Sequence, residues 1–198
     1  MPQTVTREYT LYEFKELSDT AKETARQWWK EMDSSESWDL NTDSLKEIGG
    51  MLGIKIKDIW FTLFVQGAGS SFDGTYSYVP GALKKIMEEC PTNEKLHQVA
   101  RDLQDIQRKN FYQLSADVVS TDNHRWATTI EVSDNRSAFG LASDSAEEGL
   151  KEALRDFMTY CYNCLHEEAM YQTSDEYIDD ALEINEYTFS ENGNRLEV

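Results

Sequence analysis

The pattern of apolar and polar residues is most distinctive in the middle of the chain. Between Ile59 and Val65 the residues of both alternating sets are apolar, which is typical of a strand covered on both faces of a sheet. We therefore predict a central strand there. The sequence QGAGSSFDG follows it and contains Gly67, Gly69 and Gly74, which tolerate positive φ angles. It predicts a long exposed loop before a returning strand over 75–79.

Apolar residues at helical spacing predict helices on both sides of this hairpin. The first begins at Ser18 or Thr20, where Thr20 and Glu23 fit a capping box, and it ends near Met32. The second covers 42–52 and ends at Gly53, the residue type that a left-handed cap requires. A third helix is predicted over 80–89, with Leu83, Ile86 and Met87 facing inward. A fourth begins at Thr92 and has an apolar stripe that reaches Ile106, and a fifth covers 145–172. The last begins at Thr173 or Ser174 and has Ile178, Ala181 and Leu182 on its inner face.

Alternating residues predict strands near both ends of the chain and a second hairpin. The hairpin pairs 111–120 with 125–133 through the turn TDNH, and the terminal strands cover 4–14 and 186–190. Together these elements predict an α+β fold. We expect an antiparallel sheet of about five or six strands, with helices packed mainly on one face, in a single domain over 1–198.

Composition predicts a soluble, cytoplasmic protein. No apolar run approaches the roughly 18 residues of a membrane span, and the N-terminus lacks the basic flank and apolar stretch of a signal peptide. Three cysteines do not make a disulfide framework, and reduced thiols fit the cytosol. Trp38, inside a polar segment, is either a plug over the core or an exposed anchor, and we favour the plug because tryptophan is highly buried on average.

The net charge of −18 restricts the choice of partners. Half of it lies between Glu167 and Val198, where ten acidic residues accompany one basic residue. Such a surface repels nucleic acid and acidic membranes and attracts basic proteins. We therefore expect no direct nucleic-acid binding and no membrane binding, and we predict a basic protein or nucleoprotein complex as the partner.

Two motifs have alternative interpretations. Gly67 and Gly69 suggest a phosphate-binding loop, but such a loop needs a lysine and a serine or threonine at the start of a helix, and here a strand follows. Hairpin geometry explains the glycines better, although the loop gathers hydrogen-bonding groups that could form a binding site. This alternative loop site comprises Gln66, Gly67, Gly69, Ser70, Ser71 and Asp73.

Cys161, Cys164 and the nearby His166 look like half of a zinc site. Both cysteines, however, fall on the apolar stripe of a predicted helix, and no second pair of ligands accompanies them. We expect structural thiols, no metal and no cofactor. No motif of catalytic specificity occurs in the sequence, and we predict that the protein is not an enzyme.

Three blocks of the sequence resemble a family of small acidic proteins encoded by bacteriophages and prophages. They are LYEFKELSDTAKETARQWW from Leu11, the QGAGSSFDG loop, and TSDEYIDDALEINEYTFSENGNR from Thr173. At Ala68 the family more often has an acid, so the resemblance gives no support to metal chelation by the loop. It implies a phage accessory protein that acts in the host bacterial cytoplasm, where such proteins often disable host defence.

Charge and resemblance together predict an inhibitor of a host nucleic-acid-handling complex, anti-CRISPR-like in function, which binds through an acidic surface that mimics nucleic acid. The alternative is a non-inhibitory interaction module or an antitoxin-like partner that works through the glycine loop. The predicted contact residues of the acidic surface are Asp175, Glu176, Asp179, Asp180, Glu183 and Glu186.

Overall fold

The computed structural model describes residues 8–32, 40–120 and 128–196. Its contacts divide the chain into two compact units. Unit 1 comprises Met1–Asp39 and Glu167–Val198, and unit 2 comprises Leu40–His166. This division does not test the prediction of a single domain over 1–198, which stays a prediction.

The described residues form six α-helices, one 3-10 helix and six strands. In chain order they are β1 (Tyr12–Glu13), the 3-10 helix (Phe14–Glu16), α1 (Asp19–Met32), α2 (Thr42–Leu52), β2 (Ile54–Thr62), β3 (Gly69–Ser77), α3 (Ala82–Glu89), α4 (Glu94–Lys109), β4 (Leu114–Ser120), β5 (Thr128–Asp134), α5 (Asp144–Gln172), α6 (Asp175–Ile184) and β6 (Thr188–Phe189).

Unit 2 is built on an antiparallel four-stranded sheet in the order β2-β3-β4-β5. Alternate residues of β4, namely Leu114, Ala116 and Val118, are buried, as expected where one face of a sheet is covered. Helix α5 packs on this face through Phe157, whose ring lies 6.0 Å from that of Phe72 in β3. Helix α4 contributes Gln107, whose side-chain amide donates to the hydroxyl of Tyr76 in β3 at 3.3 Å.

The prediction that β2 is a central strand is wrong. Among the described strands β2 pairs only with β3, and Trp60 is 48% exposed. Strand β3 occupies an interior position of the sheet, and its small residues let the neighbouring strands approach closely. A Cβ atom on Gly74 would lie 2.1 Å from the carbonyl oxygen of Lys55, beside a bulge between Ile56 and Asp58.

Unit 1 combines the two-stranded antiparallel sheet of β1 and β6 with α1 and α6. Gly193 has a φ angle of 81°, and a Cβ atom there would lie 2.0 Å from the carbonyl oxygen of Ala21 in α1. The aromatic side chains Trp28, Trp29, Tyr177 and Tyr187 pack around the core. That core consists of Phe14, Leu17, Ala21, Ala25, Ile178, Leu182 and Phe189.

The α+β prediction is confirmed, although the six strands are divided between two sheets instead of one. The bounds of α2 and its cap Gly53, with a φ angle of 88°, match the prediction. The capping box at Thr20 is wrong, because the Ser18 hydroxyl accepts from the Ala21 amide at 3.3 Å. Asn93 instead of Thr92 caps α4, and Met87 is exposed. Within the described part of the predicted N-terminal strand, only Tyr12–Glu13 is a strand.

Several predictions fall on residues outside the described ranges. They concern the beginning of the N-terminal strand, the burial of Trp38, and the TDNH turn with His124.

Candidate functional site

The acidic charge is concentrated in unit 1. This unit has 19 acidic and 6 basic residues, a net charge of −13, whereas unit 2 has 18 acidic and 13 basic residues, a net charge of −5. All six predicted contact residues belong to unit 1. Helix α6 contains five of them, and Glu186 follows its C-terminus.

Helix α6 is fixed by a cap and by two buried side chains. The Ser174 hydroxyl accepts from the Tyr177 amide at 3.2 Å, which satisfies an otherwise unpaired N–H of the first turn. Ile178 and Leu182, four residues apart, are both fully buried. They determine which carboxylates face α1 and which face outward.

Asp175 and Asp179 lie on the flank of α6 next to α1, where they form ion pairs. Arg26 of α1 donates to both carboxylate oxygens of Asp179, at 2.6 and 2.7 Å. Lys30 Nζ lies 3.3 Å from an oxygen of Asp175. The hydrogen bond with Asp179 raises the pKa of Arg26, whose side chain is only 18% exposed. Asp175 and Asp179 therefore stabilise the packing of α6 on α1.

Glu176, Asp180 and Glu183 form the outer acidic face, the name used here for these three residues. At 3.6 residues per turn they lie about 120–180° around the helix from the buried direction. All three are exposed, and no ion pair or side-chain hydrogen bond involves them within the described part of the chain. Their carboxylates are thus open to a partner, unlike those of Asp175 and Asp179.

Glu186 occupies an unusual backbone position directly after α6. Its φ angle is 53°, in the left-handed region that favours glycine. The Glu186 amide donates to the Glu183 carbonyl at 3.0 Å, and the Tyr187 amide donates to the Leu182 carbonyl at 3.3 Å. This is the Schellman motif, in which the left-handed residue is usually glycine. A glutamate there is exposed and costs conformational energy.

The alternative loop site is mostly part of a strand, so the predicted long exposed loop is wrong in extent. The turn covers 63–68, and Gly69, Ser70, Ser71 and Asp73 belong to β3. Only Gln66 and Gly67 of the six residues are exposed. Gly67 has a φ angle of 84°, in the region that glycine tolerates, whereas Gly69 has no positive φ.

The polar groups of this site have partners inside unit 2. The Ser70 hydroxyl donates to the Met158 carbonyl at 2.7 Å. The Ser71 and Ser120 hydroxyls lie 2.6 Å apart. Asp73 accepts from the Ser120 amide at 2.5 Å. These bonds fix β3 in the sheet, which explains why a polar sequence occupies a buried strand.

The cysteines lie apart from the acidic surface. Cys161 is buried in α5, as predicted, and burial raises the pKa of its thiol, whereas Cys164 is half-buried. Within 8–32, 40–120 and 128–196 no three residues of the ligating types His, Cys, Asp and Glu come together as a metal site. None of the helices described there has both the length and the apolar character that a bilayer crossing demands.

The cations that pair with α6 were not among the residues predicted from the sequence. Arg26 and Lys30 are four residues apart on α1, and Asp175 and Asp179 are four residues apart on α6. This matching spacing was the available signal, since residues four apart lie on one side of a helix. It distinguishes the carboxylates that form ion pairs with α1 from those that are exposed without an ion pair within the described residues.

A model of the family described as Domain of unknown function (DUF8835) matches residues 37–175. No curated protein matches the chain significantly, and no solved structure does either. The matched range includes all of unit 2. Of the six predicted contact residues, only Asp175 lies within it.

Proposed function

We propose that this chain, which belongs to the family of the domain of unknown function DUF8835, is an inhibitor that binds a nucleic-acid-handling host protein through the acidic surface of unit 1. The partner is a basic protein or nucleoprotein complex of host defence, and the inhibitor is phage-encoded and anti-CRISPR-like. The proposal assigns no reaction to the chain.

The outer acidic face carries the proposal. Glu176, Asp180 and Glu183 are exposed, and none of them is engaged in an ion pair within the described residues. With a rise of 1.5 Å per residue they span about 10 Å of helix axis, or one charge per roughly 5 Å. One strand of B-DNA carries a charge per about 3.4 Å of axis, so the two densities are comparable. Lysines and arginines that bind phosphates would meet carboxylates here.

The ion pairs of α6 change which residues should be tested. Reversing the charge of Asp179 would place a lysine against Arg26, so a loss of binding could follow from a loss of structure. The outer acidic face avoids this problem, because its side chains hold no described partner in place. Asp175 and Asp179 contribute to the negative potential but are not the informative positions.

The experiment compares two variants with equal net charge. In the first, Glu176, Asp180 and Glu183 are replaced by lysine. In the matched control, the exposed unit 2 residues Glu89, Glu94 and Glu148 are replaced by lysine instead. Each protein is immobilised and used to capture proteins from bacterial lysate at low and at high salt.

The proposal predicts that the original chain and the control capture the same nucleic-acid-binding protein at low salt and release it at high salt. The outer-face variant should capture little of it, because several charges are lost together. The recovered complex should lose its activity on nucleic acid when the original chain is added. Equal capture by both variants, or a partner without a nucleic-acid-binding activity, would contradict the proposal.

The alternative, an interaction module that works through the glycine loop, ranks second. Its residues Ser70, Ser71 and Asp73 are engaged inside unit 2, which leaves Gln66 and Gly67 as the exposed groups. Two such residues offer a partner a small polar contact.

A further inference from the structure

Unit 1 contains a cavity of about 450 Å³ between the 3-10 helix and the end of α6. This volume falls within the roughly 300–1,000 Å³ of sites for small ligands. Its lining includes the buried side chains of Phe14 and Leu182 and the half-buried ring of Tyr187. Phe14 and Leu182 are only 2% and 0% exposed, so of these three side chains only Tyr187 offers apolar surface to a ligand.

Charged residues at the cavity determine which sign of ligand it attracts. Lys15 is the positively charged residue among the described lining residues. Its Nζ lies 2.5 Å from a carboxylate oxygen of Glu13, and this hydrogen bond raises the pKa of Lys15. That pair is neutral overall. Glu183 and Glu186 also line the cavity, and neither forms an ion pair within the described residues. The unpaired charge is negative, so a cation is the complementary ligand.

We propose that the cavity receives one arginine side chain of the partner protein, with its alkyl stem against Tyr187 and its guanidinium between Glu183 and Glu186. This inference rests on the proposed function, because it assumes a basic protein partner. Glu183 belongs to both the outer acidic face and the cavity, so one bound arginine would connect the two. It would act as the anchor residue of the interface.

Arginine fits this site better than lysine or a small free cation. Its planar guanidinium binds carboxylates in a bidentate way and is less hydrated than an ammonium group. It also stacks on aromatic rings. The Arg195 guanidinium already lies over the Tyr187 ring, 4.7 Å from its centroid, so a bound arginine would contact the part of the ring that Arg195 leaves uncovered. An ammonium ion would pair with the carboxylates, but its interaction with the Tyr187 ring would be weaker.

The test is an NMR titration of the isotope-labelled full chain with N-acetyl-arginine amide, with N-acetyl-lysine amide and with spermidine. The expected result is that the arginine compound shifts the amide signals of Lys15, Glu186 and Tyr187 and binds more tightly than the other two. Glu186→Gln should weaken its binding by at least about threefold, as expected for a lost ion pair. Glu176→Gln, a matched change outside the cavity, should leave the affinity nearly unchanged.

Glu186→Gly is the second variant, because it removes the carboxylate and relieves the left-handed backbone at the same time. We expect this variant to fold, because glycine favours this backbone conformation, and it should bind the arginine compound as weakly as Glu186→Gln. Equal weakening by Glu186→Gln and Glu176→Gln would show diffuse attraction and overturn the arginine site.

Tighter binding of spermidine at the same amides, or no shift at these amides, would also overturn it. None of these results decides the proposed function, which depends on the capture experiment with the outer-face variant. Conversely, arginine binding in the cavity would be seen even if that experiment failed.

Discussion

Replacing Glu186 by glycine should stabilise the protein, because the backbone there has the conformation that glycine prefers. The φ angle of Glu186 is 53°, in a Schellman motif closed by the Tyr187 and Glu186 amides. A left-handed conformation costs an L-residue roughly 1–2 kcal/mol. The Glu186 side chain makes no ion pair within the described residues, so little is lost with it.

The expected gain follows from two opposing contributions. Relief of the left-handed backbone contributes roughly 1–2 kcal/mol. The greater freedom of glycine in the unfolded chain offsets about 0.4–1 kcal/mol of that. The net change in the free energy of unfolding should therefore be a gain of about 0.5–1 kcal/mol, which for a chain of this size raises Tm by roughly 1–4 °C.

Urea denaturation and thermal unfolding measure the global effect, and hydrogen exchange of the Tyr187 amide measures the local one. That amide donates to the Leu182 carbonyl and should exchange more slowly in Glu186→Gly. The control is Glu183→Gly, the same chemical change inside the last turn of α6, which should destabilise by about 1 kcal/mol. Destabilisation by Glu186→Gly would show instead that the carboxylate makes a stabilising contact that outweighs the backbone strain.

Three further predictions concern other contacts. Arg26→Met should lower the free energy of unfolding by about 1–3 kcal/mol in urea denaturation, because it leaves Asp179 without its bidentate partner; a loss no larger than that of Lys30→Met would contradict this. Gly67→Val should cost about 1–3 kcal/mol by the same measurement, because its φ angle is 84°, and Gly69→Val much less; equal costs would show that φ is not the cause. Burial raises the pKa of Tyr76 to about 12, so the unfolded chain releases this proton first and stability should fall between pH 10 and pH 12. The free energy of unfolding, measured at several pH values, should therefore fall by about 2 kcal/mol more in the original chain than in Tyr76→Phe. An identical fall in both proteins would contradict this prediction.

Local signals predicted where the helices lie, because helical periodicity depends on neighbouring residues, although the predicted caps at Thr20 and Thr92 are wrong. Gly53 ends α2 and Ser174 caps α6, as the sequence indicated. The position of β2 in its sheet depends on distant pairing, and an apolar run is compatible with both a central strand and a half-exposed edge. The burial of Ser70 and Ser71 could not be predicted either, since their partners Met158 and Ser120 are distant in sequence.

The candidate site was predictable as a charged segment but not as a surface. The sequence identified the acidic run after Glu167, and helical spacing could separate Asp175 and Asp179 from the outer acidic face. The matching spacing of Arg26 and Lys30 on α1 was a signal for the ion pairs with α6. No signal indicated that Glu13 and Lys15 meet Glu183 and Glu186 at one cavity, because that arrangement arises from the packing of segments far apart in the chain.

We propose that the outer acidic face occupies the site where the partner binds nucleic acid. A fluorescence anisotropy competition tests this, in which a labelled DNA duplex bound to the captured partner is titrated with this protein. We expect the original chain and the Glu89, Glu94 and Glu148 control to displace the duplex, added salt to weaken displacement, and the variant with lysine at Glu176, Asp180 and Glu183 to fail to displace it. Simultaneous binding of the duplex and this protein, or equal displacement by both variants, would show that the outer acidic face does not compete with nucleic acid.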